Sequence, residues 1–172
     1  MKQSQQISSK IFDRQHLQRQ LQIWKLLDKK IVFTNGVFDI IHYGHLALLN
    51  QASSFADIFV VGINSDASVK RLKGNGRPIN NEYPRALLLA SLVMVDAVVI
   101  FEEDTPLELI KNIMPQVLVK GGDYTIETIV GAKETLGNGG EVKIIPIVKD
   151  FSTTLALQKL NAKENKQNDS NA

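Results

Sequence analysis

Residues 34–45 read TNGVFDIIHYGH, and the order of residue types in this stretch decides how the chain folds. It begins at the end of a short apolar run, KIVFT (30–34), that fits a buried strand, and it leads into a helical stretch over 40–54. A strand, a glycine-containing turn over 35–39 and a helix together make the opening unit of an α/β domain. Asp39 is placed to cap the helix, which makes His42 its third residue and sets backbone N–H groups at the positive end of the helix dipole. His42 and His45 are three apart and project from one helical face, and Gly44 between them leaves room for a ligand to lie close. Two imidazoles able to donate Nε2–H bonds at a helix start suit phosphate oxygens. Asp39 could serve as a cap alone or have a further role near Mg²⁺. Zinc ligation by the histidine pair lacks a third ligand at a recognisable spacing.

Upstream, Asp13 can cap an amphipathic helix whose Leu17, Leu21, Trp24 and Leu27 recur at helical spacing, with His16 on its surface, so 1–29 reads as a lead and one helix. Downstream, strands are predicted at 57–63, 97–101, 117–120 and 142–147, and helices at 82–93 and 106–112. Alternation of this kind predicts an α/β doubly wound parallel sheet with helices on both faces, spanning 30–160, with its ligand beyond the carboxyl ends of the strands. The polar run NAKENKQNDSNA (161–172) reads as a disordered tail.

Composition narrows the function classes. A net charge of +2 gives no footprint for nucleic acid, and the absence of Cys excludes disulfides, thiolate metal sites and a thiol nucleophile. No apolar run reaches membrane-spanning length and MKQSQQISSK lacks a signal peptide's apolar region, which points to a cytoplasmic enzyme with no membrane partner. The sequence contains no GxxxxGK[ST], no strand followed by GxGxxG, and no GxSxG. Three further stretches invite binding and each has a plainer reading. RLKGNGR (71–77) offers Arg71, Lys73 and Arg77 on a glycine-containing loop that could close over phosphates, or is a solvated basic loop. Lys120, Gly121, Gly122 and Asp123 follow an apolar strand as a ligand-approaching turn, or as a turn only. Ser152, Thr153 and Thr154 precede a helical stretch as a second phosphate site, or as an ordinary N-cap.

TNGVFDIIHYGH is similar to the signature of the cytidylyltransferase-like HxGH nucleotidyltransferases, whose fold is Rossmann-like. NSDASVKRLKGNGRPIN (64–80), VDAVVIFEEDTP (95–106), LVKGGDY (118–124), GAKE (131–134), GNGGEVKIIP (137–146) and STT (152–154) resemble, in order, the adenylyltransferase domain of bifunctional ADP-heptose synthases. The resemblance implies transfer of AMP from ATP to D-glycero-β-D-manno-heptose 1-phosphate, giving ADP-heptose for the lipopolysaccharide core, and pyrophosphate. It implies that His42, His45 and a mobile Lys73 are catalytic. Nucleotide contacts would come from Asn35, Gly36, Phe38, Asp39, Gly44, Arg85, Lys120, Gly121, Gly122, Asp123, Ser152, Thr153 and Thr154. Asn64, Asp66, Arg71 and Arg77 would border the sugar phosphate. Mg²⁺ enters with ATP, without direct protein ligation unless through Asp39. A homodimer is expected, and, with the fused kinase missing from this sequence, a stand-alone enzyme served by a separate heptose 7-phosphate kinase. Two departures stand out: Tyr83, preceded by Glu82, occupies the place where the family has Glu before Arg85, and Asp150 and Phe151 replace a Gly-containing approach to Ser152. The competing functions are a cytidylyltransferase acting on glycerol 3-phosphate or another polyol phosphate, and a nucleotide-binding module without turnover.

Overall fold

The computed structural model of the protein describes residues 6–146. Its elements run β1 (Ile11–Phe12), α1 (Arg14–Leu26), β2 (Ile31–Gly36), α2 (Tyr43–Ser53), β3 (Ile58–Asn64), α3 (Asp66–Lys73), α4 (Glu82–Ala90), β4 (Ala97–Phe101), α5 (Leu107–Ile113), β5 (Val117–Gly121), a 3₁₀ turn at Ile126–Thr128, α6 (Ala132–Gly137) and β6 (Glu141–Ile145). The six strands form one parallel sheet in the order β1-β4-β3-β2-β5-β6. From β2 the chain builds outward through β3 to β4, then crosses back to lay β5 on the other side of β2. The order therefore reverses between β2 and β5, and a crevice opens there beyond their carboxyl ends.

Strand alternation sorts the core into two layers. Phe33, Val60, Val99 and Leu118 face Leu17, Leu21 and Trp24 of α1 together with Leu109, Ile110 and Ile113 of α5. Val32, Val61, Val98 and Val119 face Leu49 and Ala52 of α2 and Ala86, Leu89 and Ala90 of α4. Both faces of the sheet are covered, as a parallel sheet requires. Gly62 sits where a Cβ would lie 2.8 Å from Phe33 Cζ, so the first layer closes only over a glycine. Gly62→Ala should lower unfolding free energy by about 1–3 kcal/mol, the usual cost of overpacking, read from urea denaturation.

Several boundaries differ from those the sequence predicts. The helix after β2 starts at Tyr43 rather than 40, α4 stops at Ala90 rather than 93, and Leu27 is the exposed C-cap of α1. Helix α3 replaces the loop expected over 71–77 as far as Lys73. Ser65 caps it by accepting from the Ser68 amide, Asp66 occupies its first turn, and Gly74 ends it at φ 88°. Asp13 does cap α1, accepting from the His16 amide.

Candidate active site

Helix α2 begins beside the turn that leaves β2, and His42 is its N-cap residue, in extended conformation and without a side-chain cap bond. This corrects the expected role of Asp39. Its carboxylate accepts instead from Arg77 Nη1 (2.6 Å) and from the Ile79 and Asn80 amides, while its carbonyl accepts from Asn80 Nδ2. A guanidinium and two amides outcompete a local cap, because charge-assisted bonds are the stronger ones. Burial alone would raise this carboxyl, but the Asn80 and Ile79 amides and Arg77 more than offset it and hold the group below its ordinary value. Mg²⁺ would have to displace Arg77 to reach this oxygen pair, so Asp39 does not fit a metal ligand, and no cluster of His, Cys, Asp or Glu able to hold a metal occurs among the described residues.

The two imidazoles stack, with centroids 3.8 Å apart and planes at 25°. Phe38, a buried residue in the left-handed region at φ 48°, sets its ring edge-on against His45 at 5.1 Å. A strained backbone here aims a ring at a functional side chain. Both Nδ1 atoms are buried without a hydrogen-bond partner of good geometry. Burial lowers His42, and it takes His45 to about 4, helped by His42 and Lys73 and opposed by the Ile40 backbone. Burial thus disfavours the charged form of both rings.

This arrangement has a consequence for stability. Between about 4 and 6.5 the unfolded chain binds a proton at His45 that the folded chain refuses. Stability should therefore fall as pH drops from 6.5 toward 4, and His45→Gln should lose less over that window when urea midpoints are compared.

Lys73, the exposed last residue of α3, is close enough for its charge to act on His45. Its neighbours in sequence are committed elsewhere. Arg71 bonds Asp104 and the Glu102 carbonyl beside a hollow of about 870 Å³ that it shares with Asp13, Arg14, Glu102 and Glu103. The structure does not bring Arg71 to the histidines, and Arg77 is held by Asp39.

Arg85 departs furthest from the expected phosphate contact. It is 2% exposed and donates to the carbonyls of Asn80, Val37 and Asn64 and to Asp66 Oδ1. The residue ties three loops together from beneath. The departure at Tyr83 is also accounted for: Asp66 orients Arg85, and Glu82 accepts from the Asp66 amide. Asn64, buried at the end of β3, donates to Ser68 Oγ.

Beyond the reversal between β2 and β5 lies a cleft of about 340 Å³ whose lining includes Asn35, Gly36, Asn64, Asp104, Lys120 and Tyr124 but neither histidine. Lys120 Nζ donates to Asn35 Oδ1 at 3.1 Å, joining the two strands. Gly121 packs under Leu48, Gly122 donates to the Ile145 carbonyl at φ 131°, and Asp123 is exposed. Asn35, Asn64 and Lys120 thus converge on the cleft, whereas His42, His45 and Phe38 contact one another at the start of α2, with the charge of Lys73 near His45. Ser152, Thr153 and Thr154, the departures at Asp150 and Phe151, and the tail at 161–172 lie outside the described residues. No helix among the described residues is long and apolar enough to cross a membrane.

Residues 33–164 match a family model described as cytidylyltransferase-like. Curated relatives named bifunctional protein HldE include one from Koribacter versatilis, 54% identical over 151 residues (88% of this chain, 31% of the relative). Another, from Caulobacter vibrioides, is 50% identical over 153 residues (89% and 32%). The chain therefore spans about a third of the length of these relatives. Among solved structures, a lipopolysaccharide core biosynthesis protein from Thermoplasma volcanium superposes with TM-score 0.57 at 28% identity, covering 72% of this chain and 99% of the other. A pantoate-β-alanine ligase from Francisella tularensis shares the fold, with TM-score 0.58 at 18% identity over 81% of this chain and 67% of the ligase.

Proposed function

Because the chain belongs to the cytidylyltransferase-like family, we propose that it is an adenylyltransferase that transfers AMP from ATP to D-glycero-β-D-manno-heptose 1-phosphate, in the synthesis of ADP-heptose for the lipopolysaccharide core. The observation that carries this reading is the stacked histidine pair at the start of α2, whose charged forms burial disfavours, with the positive charge of Lys73 nearby. The relatives named HldE and the similarity of segments 64–80 and 118–124 to ADP-heptose synthases support the choice of substrates.

In this mechanism an acceptor phosphate oxygen attacks the α-phosphorus of ATP in line. The bond to the bridging oxygen of the β-phosphate breaks, and pyrophosphate leaves with that electron pair. The attacking oxygen is already anionic, so no general base is required and no covalent enzyme intermediate forms. His42 and His45 donate N–H to the phosphate oxygens, and the arriving polyanion favours the charged form that burial disfavours in its absence. Lys73 supplies a movable cation on the same side. Mg²⁺, held by the triphosphate and not by a protein ligand, would supply charge neutralisation for the departing pyrophosphate. A homodimer and a heptose 7-phosphate kinase acting upstream belong to the same reading.

The test is pyrophosphate release with Mg²⁺ in four combinations, ATP or CTP against heptose 1-phosphate or glycerol 3-phosphate. Turnover with ATP and heptose 1-phosphate alone is the expected result. Turnover with CTP and glycerol 3-phosphate would overturn the substrate assignment while leaving nucleotidyl transfer standing, and silence in all four would overturn both. Light scattering at twice 19.1 kDa checks the dimer.

A further inference from the structure

The sequence contains three Asn-Gly pairs, at 35–36, 75–76 and 138–139. Such a pair carries a reaction of its own: the glycine amide nitrogen, once it gives up its proton, can attack the side-chain carbonyl carbon of the asparagine before it. Glycine permits this because it has no Cβ to crowd the closing ring and few limits on φ and ψ. What decides the rate in a folded protein is whether that nitrogen and that side chain can meet.

The fold separates the three pairs. Asn35 and Gly36 end β2, where Gly36 is in register with Ile63 of β3 and Asn35 Oδ1 accepts from Lys120 Nζ at 3.1 Å. Ring closure there requires a strand at the centre of the sheet to open, and openings of that kind lie at the costly end of local stability. Asn138 is the C-cap of α6, and the Gly139 amide donates to the Leu136 carbonyl at 3.0 Å. That bond has to break first, and a net strength of about 1 kcal/mol slows the reaction about fivefold. Asn75 and Gly76 differ from both. They form the exposed middle of a turn closed by the Arg77 amide on the Gly74 carbonyl at 3.2 Å, and neither the Asn75 side chain nor the Gly76 amide makes a hydrogen bond among the described residues. A Cβ built on Gly76 would meet nothing within 4 Å, so the ring has space to form.

We propose that Asn75 is a modification site, where the folded protein deamidates ahead of Asn35 and Asn138 and so alters the loop that follows Lys73. A bond forms from the Gly76 nitrogen to Asn75 Cγ, the bond from Cγ to Nδ2 breaks, and ammonia leaves with that electron pair and the proton. Water then opens the resulting succinimide at one of its two carbonyls, giving aspartate or isoaspartate. Either product sets a carboxylate two residues from Lys73 and two from Arg77, and isoaspartate also adds a methylene to the main chain between them. Lys73 belongs to none of the ion pairs among the described residues. It gains an anion of its own loop, in competition with a substrate phosphate. The order of reaction rests on geometry alone, and the loss of turnover rests on the nucleotidyl-transfer reading.

The full chain is aged in mildly alkaline buffer well below its melting transition, and its peptides are followed by mass spectrometry for exchange of an amide for an acid. Asn75 should convert at least about fivefold faster than Asn138, with Asn35 the slowest. In urea-unfolded chain the three sites should react at similar rates. Pyrophosphate release should fall in step with the fraction converted at 75. Asn75→Gln, whose longer side chain closes its larger ring far less readily, should start near wild-type activity and keep it through the same incubation. Faster conversion at Asn35 or Asn138, or the same spread of rates in the unfolded chain, would overturn the site. Full conversion at Asn75 with pyrophosphate release unchanged would overturn the consequence for Lys73. Protein that releases no pyrophosphate when fresh, yet converts first at Asn75, would leave the site assigned and overturn the catalytic reading instead.

Discussion

His45→Ala should cut kcat by about two to three orders of magnitude with ATP and heptose 1-phosphate, while the KM for ATP moves far less. This is the usual cost of deleting one preorganised donor to a transition state. His45 is held between the stacked face of His42 and the edge of Phe38, which itself occupies a left-handed conformation. A donor fixed in this way needs no reorganisation as charge grows on the α-phosphate and the leaving group. A loss below about fivefold in steady-state kinetics would remove His45 from the transition state. A melting curve close to wild type is needed to attribute the loss to chemistry.

Lys73→Met should lower kcat by about 100-fold, and Lys73→Arg should recover part of it. The side chain is exposed at the last position of α3, immediately before Gly74 at φ 88°, and none of the ion pairs among the described residues includes it. Its charge lies close enough to His45 to help lower that ring's pKa. A cation free to move before the reaction and engaged during it contributes chiefly to kcat. The split between kcat and KM is therefore the informative measurement. A change confined to the KM for ATP would make Lys73 a ground-state contact, and a loss under about threefold would set it outside the reaction.

Much of the fold was legible because its signals are local. Runs such as DIFVVGI and the spacing of Leu17, Leu21 and Trp24 specify elements whose apolar faces are buried where expected. The histidine pair was legible for the same reason, since three residues of separation fix their proximity whether His42 is the cap or the third helical residue. Asp39 was misread because the donors that claim it lie 38 to 41 positions away along the chain. Arg85 could not be understood from a helical pattern, because its partners are mainly backbone carbonyls whose positions exist only after folding. Helix α3 carried readable signals in Ser65, Asp66 and Gly74, but the basic, glycine-containing stretch after it invited a loop assignment across the boundary. Strand β1, two residues long, is too short to show any period.

Arg85 also bears on how such a site can be altered. One guanidinium fastens the carbonyls of Val37, Asn64 and Asn80, and Asp39 fastens the 35–39 turn to residues 77–80. A designer who exchanged only the turn, or only the loop between α3 and α4, for the corresponding piece of a relative would leave the other half shaped for a missing neighbour. Effects of substitutions within this set should not add. The stretch from Val37 to Arg85 has to be transplanted as one cassette, with specificity changes sought outside it.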